Sequence, residues 1–423
     1  MKTLTWVAFL FIIILKTNVY SQVIAIKAGK LVDPETSATS TNQVILVEGR
    51  KIKAVGTTLQ IPPGAVVIDL SNYTVLPGLF DVHTHMCMTV GPTHIGNDRD
   101  ESASVLIPTL INTTAYRAIQ GVANAREMLE AGFTTIRDVG NAGNYADTDL
   151  RRAIEEGLIP GPTVINAGRI ITPYGGQFID ILTPERRDLG NPEYLYADTK
   201  DELKKAIREN ILYGAKVIKI VVDDQPYIYS VDDIKFVVDE AARAGLKVAA
   251  HATSVAGARN AAEAGVASIE HGYHVTDEIL ELAKKNKVVL VPTDWTETIM
   301  REMGYTYYKE SRARKIDRLK RAYRIGVPMA FGTDVSIPVT GQTRGTLSVS
   351  GMESLIEAGL PAKTILQMMT TNAARLLGVE NERGSIRPGM SADIIATLET
   401  PLDNILALKQ VTFVMKDGRV FKK

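Results

Sequence analysis

Eight strand-like apolar runs alternating with amphipathic helical segments, flanked at both ends by β-rich sequence, predict an α/β chain. The expected architecture is a (β/α)8 TIM barrel with a small β-sandwich satellite domain formed from both termini. Glycine closes several of the helical segments (Gly132, Gly214, Gly245, Gly265), as expected where a chain leaves a helix for the next strand.

The first residues stand apart from the rest. Lys2 precedes a 12-residue apolar run, Leu4 to Leu15, and Val19-Tyr20-Ser21 follows before Gln22. The run is shorter than the roughly 20 residues a membrane helix needs. With small Ser21 and Val19 two positions before it, it predicts a signal peptide over 1–21, cleaved before Gln22. The mature protein is expected in the periplasm or outside the cell, without membrane attachment. Val23–Lys30, Gln43–Gly49 and Val66–Leu70 are short β-rich runs separated by Gly, Pro and Asn, and Ala392–Leu398 and Val411–Phe421 look the same. Residues 22–75 and 385–423 are therefore expected to pair into the satellite, with 76–384 as the barrel. Its strands are read at Thr74–Val82, Phe133–Val139, Thr163–Ile171, Ala215–Val222, Lys247–His251, Ala267–His271, Val288–Pro292 and Pro328–Thr333. Helices are expected over Ala115–Ala131, Lys200–Leu212, Val231–Ala244, Val255–Ala264 and Thr276–Lys285, where apolar residues recur three and four apart.

A chain of 423 residues, 45% hydrophobic, can bury one large core. Its 48 basic and 48 acidic side chains cancel, which supplies no field for nucleic acid or anionic lipid and leaves small-molecule chemistry as the default. Cys87 is the only cysteine, so no intrachain disulfide can form. Although it lies two residues beyond a His-x-His pair, it reads as a small core hydrophobe rather than a ligand.

The (β/α)8 architecture gathers functional residues at the C-terminal ends of its strands. Asp81-Val82-His83-Thr84-His85 ends the first barrel strand, and period-two alternation puts both histidines on one inward face. Histidine supplies only 6 of 423 residues, which makes such a pairing improbable for packing alone. His251, His271 and Asp334 end three further strands. Each alone also reads as a buried polar group, but together they satisfy the placement rule. Lys219 sits in the strand Ala-Lys-Val-Ile-Lys-Ile-Val-Val, where an ammonium would repel metal. Addition of carbon dioxide would make it a carbamate, a two-oxygen anion able to bridge metal ions roughly 3.5–4 Å apart. Pairing with Asp223 or Asp224 is the competing reading for Lys219. Lys216, of opposite parity, is expected at the strand's entry or facing the helices.

Leu76-Pro-Gly-Leu-Phe-Asp-Val-His-Thr-His, Ile218-Lys-Ile, Ala250-His-Ala, Glu270-His-Gly and Gly332-Thr-Asp resemble the amidohydrolase superfamily over nearly all of the mature chain. Thr134-Thr-Ile-Arg-Asp-Val-Gly is similar to its imidazolonepropionase-related branch, which includes binuclear Xaa-Pro dipeptidases. The resemblance implies two divalent metal ions, zinc by the ligand types. His83, His85 and Asp334 would hold the more buried ion, His251 and His271 the more exposed one, and Lys219 would bridge them as N6-carboxylysine. Asp334 would take the proton of the attacking water and pass it to the leaving nitrogen. The loop after the fourth strand is expected to bring Tyr227 and Tyr229 to the mouth. Tyr229 matches a tyrosine that the related dipeptidases use against substrate; loop packing is its other reading. Arg137 is either a carboxylate clamp or the partner of Asp138, the pair being preferred. His274 and His94 are weaker candidates, and Gln177 stands where relatives often carry histidine.

The leading reading is a binuclear amide hydrolase with a small dipeptide or N-acyl amino acid substrate, Xaa-Pro dipeptides in particular. A cyclic amidohydrolase of the imidazolonepropionase type or a deaminase is the alternative. His251 is followed by Ala-Thr-Ser rather than by the glutamate usual in the deaminases. A non-catalytic binding module is the remote third class, and homo-oligomerisation is left open.

Overall fold

The structure, a computed structural model, describes residues 22–90, 106–177, 185–224, 226–302 and 308–423. The expected signal peptide and His94 lie outside the described residues.

The chain begins with β1 (Val23–Asp33), β2 (Ala38–Glu48), β3 (Lys51–Gly56) and β4 (Val66–Pro77), strands rich in Val and Ile whose apolar side chains turn to one face. Gly78 then makes the junction, because a Cβ there would overlap the Thr134 side chain. Next come β5 (Leu79–Thr84), β6 (Phe133–Asp138), β7 (Thr163–Asn166), β8 (Ile170–Thr172), β9 (Tyr194–Tyr196), β10 (Ile218–Val221), β11 (Val248–Ala252), β12 (Ser268–His271) and β13 (Val289–Val291). The C-terminal β14 (Ile394–Thr397), β15 (Phe413–Lys416) and β16 (Arg419–Lys422) return to the first unit.

Both termini share one sheet, as the sequence predicts, in the order β16-β15-β14-β4-β1-β2-β3. It has seven strands. One apolar cluster, including Ile26, Ile45, Ile68, Ile394, Phe413 and Met415, serves all of it. β4 pairs with β1 in parallel and with β14 antiparallel, so the N-terminal and C-terminal segments meet along β4.

The barrel strands form two parallel arcs, β5-β6-β7 and β13-β12-β11-β10-β8-β9, and among the described residues no single ladder closes the ring. Two expectations change here. The third expected strand breaks at Gly168, whose φ of 71° suits glycine, into β7 and β8. The eighth expected strand makes only the parallel bridge Leu290 to Met329. Single backbone hydrogen bonds join the arcs instead. Lys216 N and Val217 N donate to Asn166 O at 2.7 and 3.2 Å, while Val82 N donates to Phe331 O and Asp334 N to His83 O, both at 2.9 Å.

The helices start where the sequence places caps. Thr199 and Glu202, and Ser230 and Asp233, form capping boxes, and Ser254 and Thr276 cap the next two helices. Helices Lys200–Leu212, Val231–Ala242, Val255–Ala264 and Asp277–Lys285 pack in succession against one another. They enclose the main core with the strands.

Candidate metal centre

At the end of β5, Asp81 fastens two segments together. Its carboxylate accepts from His83 N at 3.1 Å, Thr333 N at 3.2 Å and Thr333 Oγ1 at 2.6 Å. This ties the strand end to the segment that carries Asp334. His85 Nε2 lies 3.1 Å and His83 Nε2 3.7 Å from Asp334 Oδ1, and the three side chains could hold one metal ion. The far nitrogens of both rings are already engaged: His83 Nδ1 meets Glu270 Oε2 at 2.7 Å, and His85 Nδ1 meets Gly140 O at 2.8 Å. Donation from Nδ1 leaves the Nε2 lone pairs facing Asp334, the tautomer a metal ligand requires.

His271, ending β12, carries φ 70°, and Asp334 carries φ 57°. Left-handed backbone is costly for such residues and concentrates at functional sites. Imidazole centroids run His85 to His83 at 5.4 Å, His83 to His271 at 5.0 Å and His271 to His251 at 4.4 Å. The four rings thus form one continuous row. Thr293 Oγ1 sits 2.8 Å from His271 Nδ1, and buried Arg318 donates to His271 O.

Lys219 is buried on β10 beside these rings, one residue before Ile220 and two before Val221, the register partner of His251. Among the described residues it makes no ion pair within 4 Å with Asp223 or Asp224, which removes the competing reading. Asp223 instead accepts from Ser254 N and Oγ, both at 2.7 Å, at the start of the helix Val255–Ala264. Burial brings the Lys219 amine down to about 8 against the pull of Glu270 and Asp334. Burial alone would raise Asp334, but His83, His85 and Lys219 hold it well below the usual carboxylate range. Burial, with Lys219 behind it, takes His83 down to about 4, so at neutral pH the imidazole is a free base able to ligate a metal.

The donor set fits divalent metal. It offers imidazole and carboxylate, types that zinc shares with manganese and cobalt. A second group, Asp223, Asp224 and His251, could also hold an ion, and buried His251 Nε2 has no hydrogen bond.

Several substrate candidates lie elsewhere. Tyr229 does not reach the mouth: it is buried in the main core and its hydroxyl donates to Ala197 O at 2.6 Å. Arg137 pairs not with Asp138 but with Glu270, at 2.7 Å, and also donates to Val82 O and Ser268 Oγ. It is a buried brace and no clamp for a substrate carboxylate. Tyr227 is exposed, and so is His274, whose backbone N donates to Thr253 O. Gln177 does lie by the centre, donating to Asp224 Oδ2 at 2.9 Å. Cys87 is a buried free thiol and Lys216 is exposed at the strand's entry, as expected.

Asp81, Glu270, Thr293 and Arg318 were not singled out. Asp81 shares parity with His83 and His85, a signal open to reading. Glu270 was hidden by strict alternation, which sends it to the face opposite His271; the left-handed turn at His271 lets both approach His83.

The sequence matches the family model described as "Amidohydrolase family" over residues 74–421. An ochratoxinase from Aspergillus niger is 28% identical over 95% of this chain and 87% of its own length. An imidazolonepropionase from Clostridium tetani is 26% identical over 90% of this chain and 91% of its own. A solved Xaa-Pro dipeptidase with methionine bound in its active site is 28% identical, with a TM-score of 0.78 over 95% of this chain and 100% of that one.

Proposed function

The chain belongs to the amidohydrolase family, and from that premise we propose a binuclear metal-dependent hydrolase of C–N amide bonds that acts on Xaa-Pro dipeptides or N-acyl amino acids. The observation that carries the reading is the row of four imidazoles with Asp334 at one end, Asp224 at the other and buried Lys219 beside them.

When bound, divalent ions would lower the pKa of water and polarise the scissile carbonyl. Asp334, kept ionised beside His83 and His85, is the carboxylate placed to accept the proton of the attacking water and return it to the leaving nitrogen. Arg137 holds Glu270, and Glu270 fixes the His83 ring, so the ligand row is set before substrate arrives. Lys219 has the property that carbamate formation demands. Burial lowers the amine to about 8, so far more of it is neutral at pH 7 than of an ordinary lysine. The neutral nitrogen attacks carbon dioxide, a C–N bond forms, and the displaced proton leaves to solvent.

The substrate is supported by the likeness to a Xaa-Pro dipeptidase and an ochratoxinase. The likeness to an imidazolonepropionase keeps ring opening of a cyclic amide as the second reading. Cleavage before Gln22 places the mature enzyme outside the cytoplasm in the same proposal.

The test is metal content beside hydrolysis of Xaa-Pro dipeptides, N-acyl amino acids and cyclic amides, with protein prepared in zinc and bicarbonate. The expected result is about two ions per chain and preference for the dipeptides. Lys219→Ala is expected to lose metal and activity together, with partial return of both on adding a short carboxylate. Full activity in that variant without rescue would exclude the bridging role.

A further inference from the structure

Three residues past the end of β10, Asp224 adopts φ 79°, a left-handed conformation that turns its carboxylate toward His251. Asp224 Oδ2 lies 2.6 Å from His251 Nε2. His251 is more than nine-tenths buried, and its Nε2 stands at ion-pair distance from Asp224 without an aligned hydrogen bond to any other described residue. A carboxylate oxygen and an imidazole nitrogen held this close share a positive charge, supplied by a proton on the ring or, in its place, by a bound cation.

The rest of the environment holds the carboxylate in place. Gln177 Nε2 donates to Oδ2 at 2.9 Å and Thr253 Oγ1 to Oδ1 at 3.3 Å. Neighbouring Asp223 is not equivalent. Thr253 N, Ser254 N and Ser254 Oγ occupy its oxygens, and it stays 3.9 Å from His251 Nε2. One acid of the Asp-Asp pair anchors a helix start and the other is available to bind.

We propose that Asp224 is itself a ligand of the second metal ion, joining His251 there, with Gln177 as the residue that positions its carboxylate. The proposal rests on the two-ion reading above. It gives that ion an anionic ligand beyond the imidazoles and the Lys219 carbamate. It also assigns a role to Gln177 that needs no contact with substrate.

The experiment compares wild type, Asp224→Asn and Gln177→Ala, each loaded with zinc and bicarbonate, dialysed against graded chelator and analysed for zinc per chain. Wild type is expected to keep about two ions. Asp224→Asn is expected to keep about one, the ion of His83, His85 and Asp334, and this retained ion shows that the variant is folded. Its second ion should leave at a chelator concentration about 10- to 100-fold lower than in wild type, and Gln177→Ala should shift the same step by less. Cobalt-loaded protein supplies an independent readout, since loss of a ligand alters the visible absorption of the second ion alone. Two ions in Asp224→Asn with the wild-type chelator curve would overturn the proposal; a raised KM at unchanged metal content would then assign the carboxylate to a substrate ammonium. Fewer than two ions in wild type would overturn the two-ion reading and this proposal with it.

Discussion

Asp138 shows what a strand end costs when its carboxyl is buried. Oδ2 accepts from Met86 N at 2.5 Å, but Oδ1 is buried without a hydrogen bond. Burial first, and Asp147 second, push the Asp138 carboxyl up to about 7. A folded-state value above the unfolded one means that the folded chain binds more protons between about pH 4 and 7. Stability from this group is therefore present at low pH and lost as pH rises through that window. Relative to wild type, metal-free Asp138→Asn, which needs no proton, is expected to gain roughly 2–4 °C in melting temperature on going from pH 5.5 to pH 8; melting curves of the two proteins across pH check it. At this scale the gathering of His83, His85, His251, His271 and Asp334 was legible, because metal chemistry restricts residue type and the architecture restricts position. The supporting contacts were not. Tyr229 finds its partner in a backbone carbonyl, Ala197 O, and Arg137 finds Glu270 across the barrel, and neither partner is encoded in nearby sequence.

The segment 328–334 between β13 and β5 forms no continuous ladder, making one bridge to Leu290, yet it is tightly packed. A Cβ on Gly332 would lie 2.5 Å from Val291 Cγ1 and 2.8 Å from His83 Cβ. Gly332→Ala is expected to push His83 off its position, cost about 1–3 kcal/mol in denaturant unfolding and lower metal content. Unchanged metal content would show that the segment can yield without moving the ligand. Helices were read closely from sequence. Lys200–Leu212 and Val255–Ala264 fall on the expected residues because Thr199 and Ser254 supply side-chain caps that fix their starts. Strands three and eight were read less well. An apolar run states that a segment is buried, whereas Gly168 breaking a strand, or Met329 making a lone bridge, depends on what lies alongside.

Over the whole molecule, the alternation of strands and helices and the return of the C-terminus were legible, while the arrangement of the ring as two arcs was not, since pairing between distant strands leaves no periodicity in the chain. If export proceeds as proposed, the mature protein begins at Gln22, one residue before β1 begins at Val23, so cleavage leaves every residue of that strand in place. The N-terminal mass of the exported protein checks this, and retention of residues 1–21 would exclude it. The shared sheet also sets a timetable. β4 takes its partner on one side from β14, with Thr74 opposite Thr397, so the apolar Val75 and Leu76 have one unpaired flank until almost the entire chain has been made. A ribosome paused inside the barrel holds out a bare strand edge, the template that foreign strands pair with. A strand made early in this protein is thus among the last to be safe from aggregation.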